Sequence, residues 1–180
     1  MSQSFTDPNK WLEEFAHSFD VVCPNCNSHS KVYRSTTTPH TARFVCSSCG
    51  KSRKWKGSSS IVTYSAIPPQ DAIVCYGGAF DAFFHYPLFL KTSSCGNDLW
   101  AFNREHLEFL IGYVKAKQRK PPPEYGSNRT LASRLPHWIM SKKNRKRVTK
   151  DLLNLEKKLA ESGKDECLAC SPHIITHTAP

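Results

Sequence analysis

Two short cysteine pairs carry the clearest chemistry in this chain: Cys23-Pro-Asn-Cys26 and Cys46-Ser-Ser-Cys49, with nineteen residues between them. Each pair can turn two sulfurs toward one point, so the four thiolates suit a single tetrahedral zinc ion. Four protein ligands fill the coordination sphere, which makes the expected site structural rather than catalytic. Gly50, directly after the second pair, can take the positive φ that lets backbone N–H groups approach the sulfurs. A second set lies in the tail, where Cys167, Cys170, His173 and His177 follow a Cys-x2-Cys-x2-His-x3-His spacing. That spacing is feasible for a small second zinc knuckle, against the competing expectation of an unstructured terminus. One Zn²⁺ is therefore expected, and two if the tail also binds.

Other candidate chemistry is sparse. His85, Asn103 and His106, near two expected strands and a helix, have the residue types of a ββα-metal nuclease, the remote enzymatic alternative. Asn103 is equally explained as a helix cap and His106 as an early helical residue. No Gly-rich phosphate loop, Ser/His/Asp set or paired-carboxylate motif stands out, so the chain is expected not to be an enzyme. Cys75 reads as a small buried hydrophobe, and Cys95 as a turn residue.

The 180 residues carry a formal net charge of +10, which favours polyanionic partners, nucleic acid (DNA or RNA) first. The charge falls in two blocks. Residues 23–57 contain seven Lys or Arg and no acid, and residues 127–158 contain ten with two acids. A zinc held by four thiolates brings a net charge of about −2, so the first block is nearer about +5 when loaded. In it, Arg34, Arg43, Lys51, Arg53, Lys54 and Lys56 are candidate phosphate contacts, and Tyr33, Phe44 and Trp55 could stack on bases. The competing expectation puts those three aromatics in the module's own small core, with the charges merely solvated. In the second block, Lys142, Lys143, Arg145 and Arg147 stand at the start of an expected helix. Positive charge there opposes the helix dipole, and an anionic partner would relieve it.

No run of about 18 apolar residues is present, so no spanning helix is expected. An anionic membrane surface ranks second to nucleic acid for the positive charge, and no membrane partner is expected. The first residues lack a basic and an apolar region, and eight cysteines without such a signal point to the reducing cytoplasm.

The elements that must position these groups read as α+β. An N-terminal helix is expected over 1–20, opened by Asp7-Pro8, with Trp11, Leu12, Phe15 and Phe19 as its apolar stripe. A zinc module follows over 21–57, with strands at 31–34, 42–45 and 51–56. Gly57-Ser-Ser-Ser60 reads as a linker into an α+β domain over 58–163, and 164–180 as the tail. In that domain 61–64 reads as a strand, and 88–92 and 99–102 as two strands about a 94–98 turn. Asn103 caps a helix carrying Leu107, Leu110, Ile111 and Val114, its C-terminal dipole complemented by Lys115, Lys117, Arg119 and Lys120. A short helix is expected at 128–135. A last one runs over 143–162, with Val148, Leu152, Leu155 and Leu159 as its stripe.

The Cys-Pro-Asn-Cys turn, the basic β arm and Phe-Val-Cys-Ser-Ser-Cys-Gly-Lys together resemble the zinc ribbon of transcription factors and polymerase subunits. The resemblance covers 21–56 and implies a three-stranded sheet stabilised by zinc on Cys23, Cys26, Cys46 and Cys49. The remainder is similar to bacterial zinc-ribbon proteins, which implies no mechanism. The expected role is a zinc-binding protein that contacts nucleic acid as an accessory or regulatory factor. The alternative is a protein-interaction or scaffolding subunit with a structural ribbon.

Overall fold

Each cysteine turn reverses the chain between two strands, and the sheet is built outward from these turns. The computed structural model describes residues 4–37, 41–56, 77–121 and 130–168, the side chains after Ser162 excepted. In chain order its elements are β1 (Ser4–Thr6), β2 (Ser18–Val22), β3 (His29–Arg34), β4 (Thr41–Val45), β5 (Ser52–Lys56), β6 (Lys91–Ser94) and β7 (Asn97–Trp100). They continue with α1 (Arg104–Lys115), β8 (Gln118–Lys120), α2 (Leu131–Arg134), α3 (His137–Met140) and α4 (Arg145–Leu168). The class is α+β.

The central sheet is antiparallel in the order β2-β3-β4-β5, four strands where the resemblance implied three. The added strand, β2, comes from the segment expected to be the N-terminal helix, and that helix does not form. Asp7 is buried, and its carboxylate accepts the Asn9 N–H at 2.9 Å and the Thr130 hydroxyl at 2.7 Å. Asn9 takes a φ of 59°, outside the right-handed helical region. A 3-10 turn, Leu12–Phe15, is the helical remnant, and Phe19 pairs with Val32 in the sheet. Five paired residues of β2 bury Phe19 and Val21, a gain that local helical periodicity cannot match.

One face of the sheet is apolar: Phe19, Val21, Val32, Phe44 and Trp55 are all buried. They meet the turn over 81–86. Phe83 packs edge-on against Phe19 and Trp55, and Phe44 contacts Phe84 and Tyr86. Asp81 organises that turn, its carboxylate accepting the N–H groups of Phe83, Phe84 and Tyr86 at 2.9, 2.8 and 2.6 Å. Phe19 also meets Phe102 at the head of α1, with ring centroids 4.8 Å apart. The sheet and the helices thus share one hydrophobic cluster.

The expected hairpin is present but displaced, with β6 and β7 closing on the two residues Cys95 and Gly96. Both have positive φ, 51° and 77°, the requirement of a two-residue turn whose twist matches the strands. Asn103 caps α1 as expected, its Oδ1 accepting the His106 N–H at 3.0 Å. The expected short helix is present as α2, capped by Thr130 and ending before Pro136, and a second short helix, α3, follows that proline. In α4, Val148, Leu152, Leu155 and Leu159 are buried as expected. A parallel pairing of β1 with β8 was not anticipated. It places Arg119 in a strand, where its guanidinium donates to the Tyr113 carbonyl in the last turn of α1 at 3.1 Å, complementing that helix end as expected, and to the Met140 carbonyl at 3.0 Å. The expected strand at 61–64, the linker at 57–60 and Cys75 lie outside the described residues.

Candidate functional site

The two cysteine turns have the same hydrogen-bond pattern. The Cys23 N–H donates to the Ser28 carbonyl and the Asn27 N–H to the Cys23 carbonyl, at 2.9 and 3.0 Å. The Cys46 N–H donates to the Lys51 carbonyl and the Gly50 N–H to the Cys46 carbonyl, at the same two distances. Asn27 and Gly50, each just past its pair, take φ of 58° and 72°. The Gly50 role was legible in the sequence. That of Asn27 was missed, although asparagine tolerates the left-handed region better than most residues.

The turns bring Cys23, Cys26, Cys46 and Cys49 together, with all four sulfurs within 4.8 Å of one another. Across the turns, Cys23 Sγ lies 3.8 Å from Cys49 Sγ and Cys26 Sγ 3.6 Å from Cys46 Sγ. Metal–sulfur bonds of about 2.3 Å in a tetrahedron require sulfur–sulfur edges of about 3.8 Å. The donor set therefore fits a soft tetrahedral ion, and the cluster could hold one. Hydrogen bonding prepares part of it for deprotonation. Burial pushes the Cys46 thiol up, but hydrogen bonds from Ser30, the Cys49 backbone and the neighbouring thiols outweigh this and bring it to about 6. Hydrogen bonds from the Ser28 side chain and backbone lower Cys26. Cys49 receives a lowering backbone bond from Lys51, yet burial and the thiols of Cys46 and Cys26 leave it raised. Among the described residues, no other group of three or more His, Cys, Asp or Glu side chains could hold an ion. Cys170, His173 and His177 fall outside those residues, and Cys167 is described only as part of the α4 backbone.

The sheet divides the expected basic contacts. Tyr33, Arg43 and Lys54 are directly opposite one another across β3, β4 and β5, on the face away from the core. All three are exposed, and Lys56 lies on the same face. Arg34 and Arg53 belong to the other register, opposite Ala42 and Phe44. Arg53 is held in place, donating to the Tyr86 hydroxyl at 2.9 Å above the Phe84 ring. Of the aromatics, Phe44 and Trp55 are core residues and Tyr33 is 47% exposed. Lys51 is exposed in the second cysteine turn. In the second block, Lys142 and Lys143 are exposed ahead of α4, Arg145 is half-buried, and Arg147 pairs with Asp151 at 2.9 Å.

The nuclease-type residues do not converge on a metal site. Asn103 is buried and binds three backbone groups, while His106 is a core ring whose Nδ1 accepts the Phe102 N–H. The structure does assemble a Ser/His/Asp chain that no spacing disclosed. His29 Nε2 lies 2.8 Å from Asp20 Oδ1, and Ser162 Oγ lies 3.2 Å from His29 Nδ1. The Phe89 ring covers the imidazole at 4.5 Å, and the Ser162 hydroxyl donates to the Leu159 carbonyl of its own helix. These contacts clamp α4 onto the sheet. A further feature invisible in the sequence is an apolar cavity of about 590 Å³, walled by Trp11, Trp100 and Trp138, segments far apart in the chain.

No protein-family model, curated protein or solved structure matches this chain. No helix among the described residues is long and apolar enough to cross a membrane.

Proposed function

We propose that this chain is a zinc-ribbon protein that binds nucleic acid as an accessory factor, the metal bracing the sheet and the outer face of the sheet meeting the polyanion. The tetrahedral thiolate set favours zinc, which would hold the two cysteine turns together without taking part in a reaction. A structural zinc contributes an apparent ~10–16 kcal/mol, on the scale of a whole domain's stability.

The observation that carries the nucleic-acid reading is the Tyr33–Arg43–Lys54 row. Like charges directly opposite each other across strands destabilise a sheet, so Arg43 facing Lys54 costs stability that an anion lying over both would offset. An exposed aromatic beside two cations is the pairing that single-stranded nucleic acid uses, base on ring and phosphate on cation. A fluorescence-anisotropy titration with single- and double-stranded DNA and RNA oligonucleotides at several salt concentrations tests this. Affinity should fall linearly with salt on logarithmic axes. Arg43→Glu should weaken binding at least about tenfold, and Tyr33→Ala should weaken single-strand binding by about 1–3 kcal/mol. Affinity indifferent to salt and to Arg43→Glu would instead favour the interaction-subunit reading.

A further inference from the structure

Four buried side-chain nitrogens among the described residues have no hydrogen-bond partner, and two of them, Trp55 Nε1 and His85 Nε2, line one cavity. The cavity, about 670 Å³, lies where the edge strand β5 meets the Asp81 turn. Its exposed wall is Arg53, Lys54 and Lys56, and its inner wall is Trp55, Phe83 and His85. No carboxylate is among the described residues that line it.

A buried N–H that pairs with nothing costs free energy, and the indole nitrogen can only donate. Trp55 is 7% exposed, so bulk water does not meet this need. His85 is held in an unfavourable backbone conformation, with φ of 58°. The Asp81 carboxylate fixes it there by taking the N–H groups on either side, those of Phe84 and Tyr86. The Asp81 oxygens are thereby committed to backbone rather than to the cavity. Arg53 is anchored by Tyr86 and Phe84, so one of the three cations has a set position. An orphaned buried indole donor, an unpartnered imidazole nitrogen on a positive-φ residue and three cations with no carboxylate among the described lining residues together describe a site suited to an anion.

We propose that this cavity binds a phosphoryl group, with Trp55 Nε1–H and His85 Nε2–H donating to its oxygens and Arg53, Lys54 and Lys56 balancing its charge. The phosphoryl group enters by displacing the flexible ends of the two lysines. The site shares Lys54 with the outer-face row, but Trp55 and Arg53 belong to the opposite register of β5. Two sources share this chemistry: the backbone of a nucleic acid drawn across β5, and free phosphate or a mononucleotide.

The test uses the full-length zinc-loaded chain with ¹⁵N-labelled tryptophan, whose four indole N–H signals are assigned by substitution, Trp55→Phe identifying its own. Inorganic phosphate is titrated in one arm and a single-stranded oligonucleotide without terminal phosphate in the other. The Trp55 signal should move saturably while the other three stay in place under phosphate. His85→Phe should raise the midpoint roughly tenfold with the remaining signals unchanged. The titrant acting at the lower concentration identifies the source. A Trp55 signal that neither titrant moves, or that moves identically in His85→Phe, overturns the proposal. The phosphate arm reads the Trp55 signal and its dependence on His85, neither of which belongs to the outer face, so it stays decisive whether or not that face binds nucleic acid.

Discussion

His106 is 2% exposed among the rings of Phe15, Phe102 and Trp100, whose centroids lie 5.2, 5.4 and 5.7 Å from its own. Burial drives its pKa from the ordinary 6.5 down to about 3. Above 6.5, folded and unfolded chains both hold a neutral imidazole. As the pH falls from 6.5 toward 3, only the unfolded chain takes up the proton, and the folded state loses about 1.4 kcal/mol per pH unit. Thiolate protonation and metal release act in the same direction, so the useful quantity is the difference between wild type and His106→Gln in urea unfolding. The substitution should cost stability near pH 7, and the gap should narrow by about 1 kcal/mol near pH 5.5. A gap that does not change with pH would mean that the folded protein accommodates the protonated ring.

Asn103 joins elements that are 85 or more residues apart in sequence. Its Oδ1 caps α1, and its Nδ2 donates to the Phe15 and Ser18 carbonyls at 2.7 and 2.9 Å, fixing the 3-10 turn and β2 against the helix. Asn103→Ala should therefore cost about 3 kcal/mol, more than a helix cap alone, because a buried and a half-buried carbonyl lose their donor. Chemical denaturation measures this; a loss near 1 kcal/mol would reduce Asn103 to a cap. The cap was legible in the sequence because its signal spans four residues, but its second role was not, because both acceptors come from a distant segment. The same division runs through the fold. The cysteine turns, the α1 and α4 stripes and the β6–β7 hairpin depend on near neighbours and could be read directly. The Trp11, Leu12, Phe15 and Phe19 spacing matches a helix, yet Phe19 and Val21 equally fit a strand, and only pairing with β3 decides between them. The three-residue β1–β8 pairing and the tryptophan cavity have no local signature.

Across the molecule, the four-cysteine cluster and the larger core are continuous. Cys23 and Cys46 belong to the same hydrophobic cluster as Phe19, Phe44 and the faces of α1 and α4. Metal loss would therefore be felt beyond the two turns, through β2 and β4 into the Asp81 turn and the basic row that lies over the sheet. The charge distribution follows the same architecture: the sheet turns its apolar side inward and shows Tyr33, Arg43 and Lys54 outward, so the proposed nucleic-acid face would depend on a metal it never touches. The most direct measurement is a Co²⁺ titration of the metal-stripped chain carrying Cys167→Ser and Cys170→Ser, which isolates the four-cysteine cluster. The ligand-field bands of a tetrahedral thiolate site should saturate at one equivalent of Co²⁺ and disappear when Cys46→Ser is added. Absence of those bands, or their persistence without Cys46, would contradict the assignment of Cys23, Cys26, Cys46 and Cys49 as one metal centre.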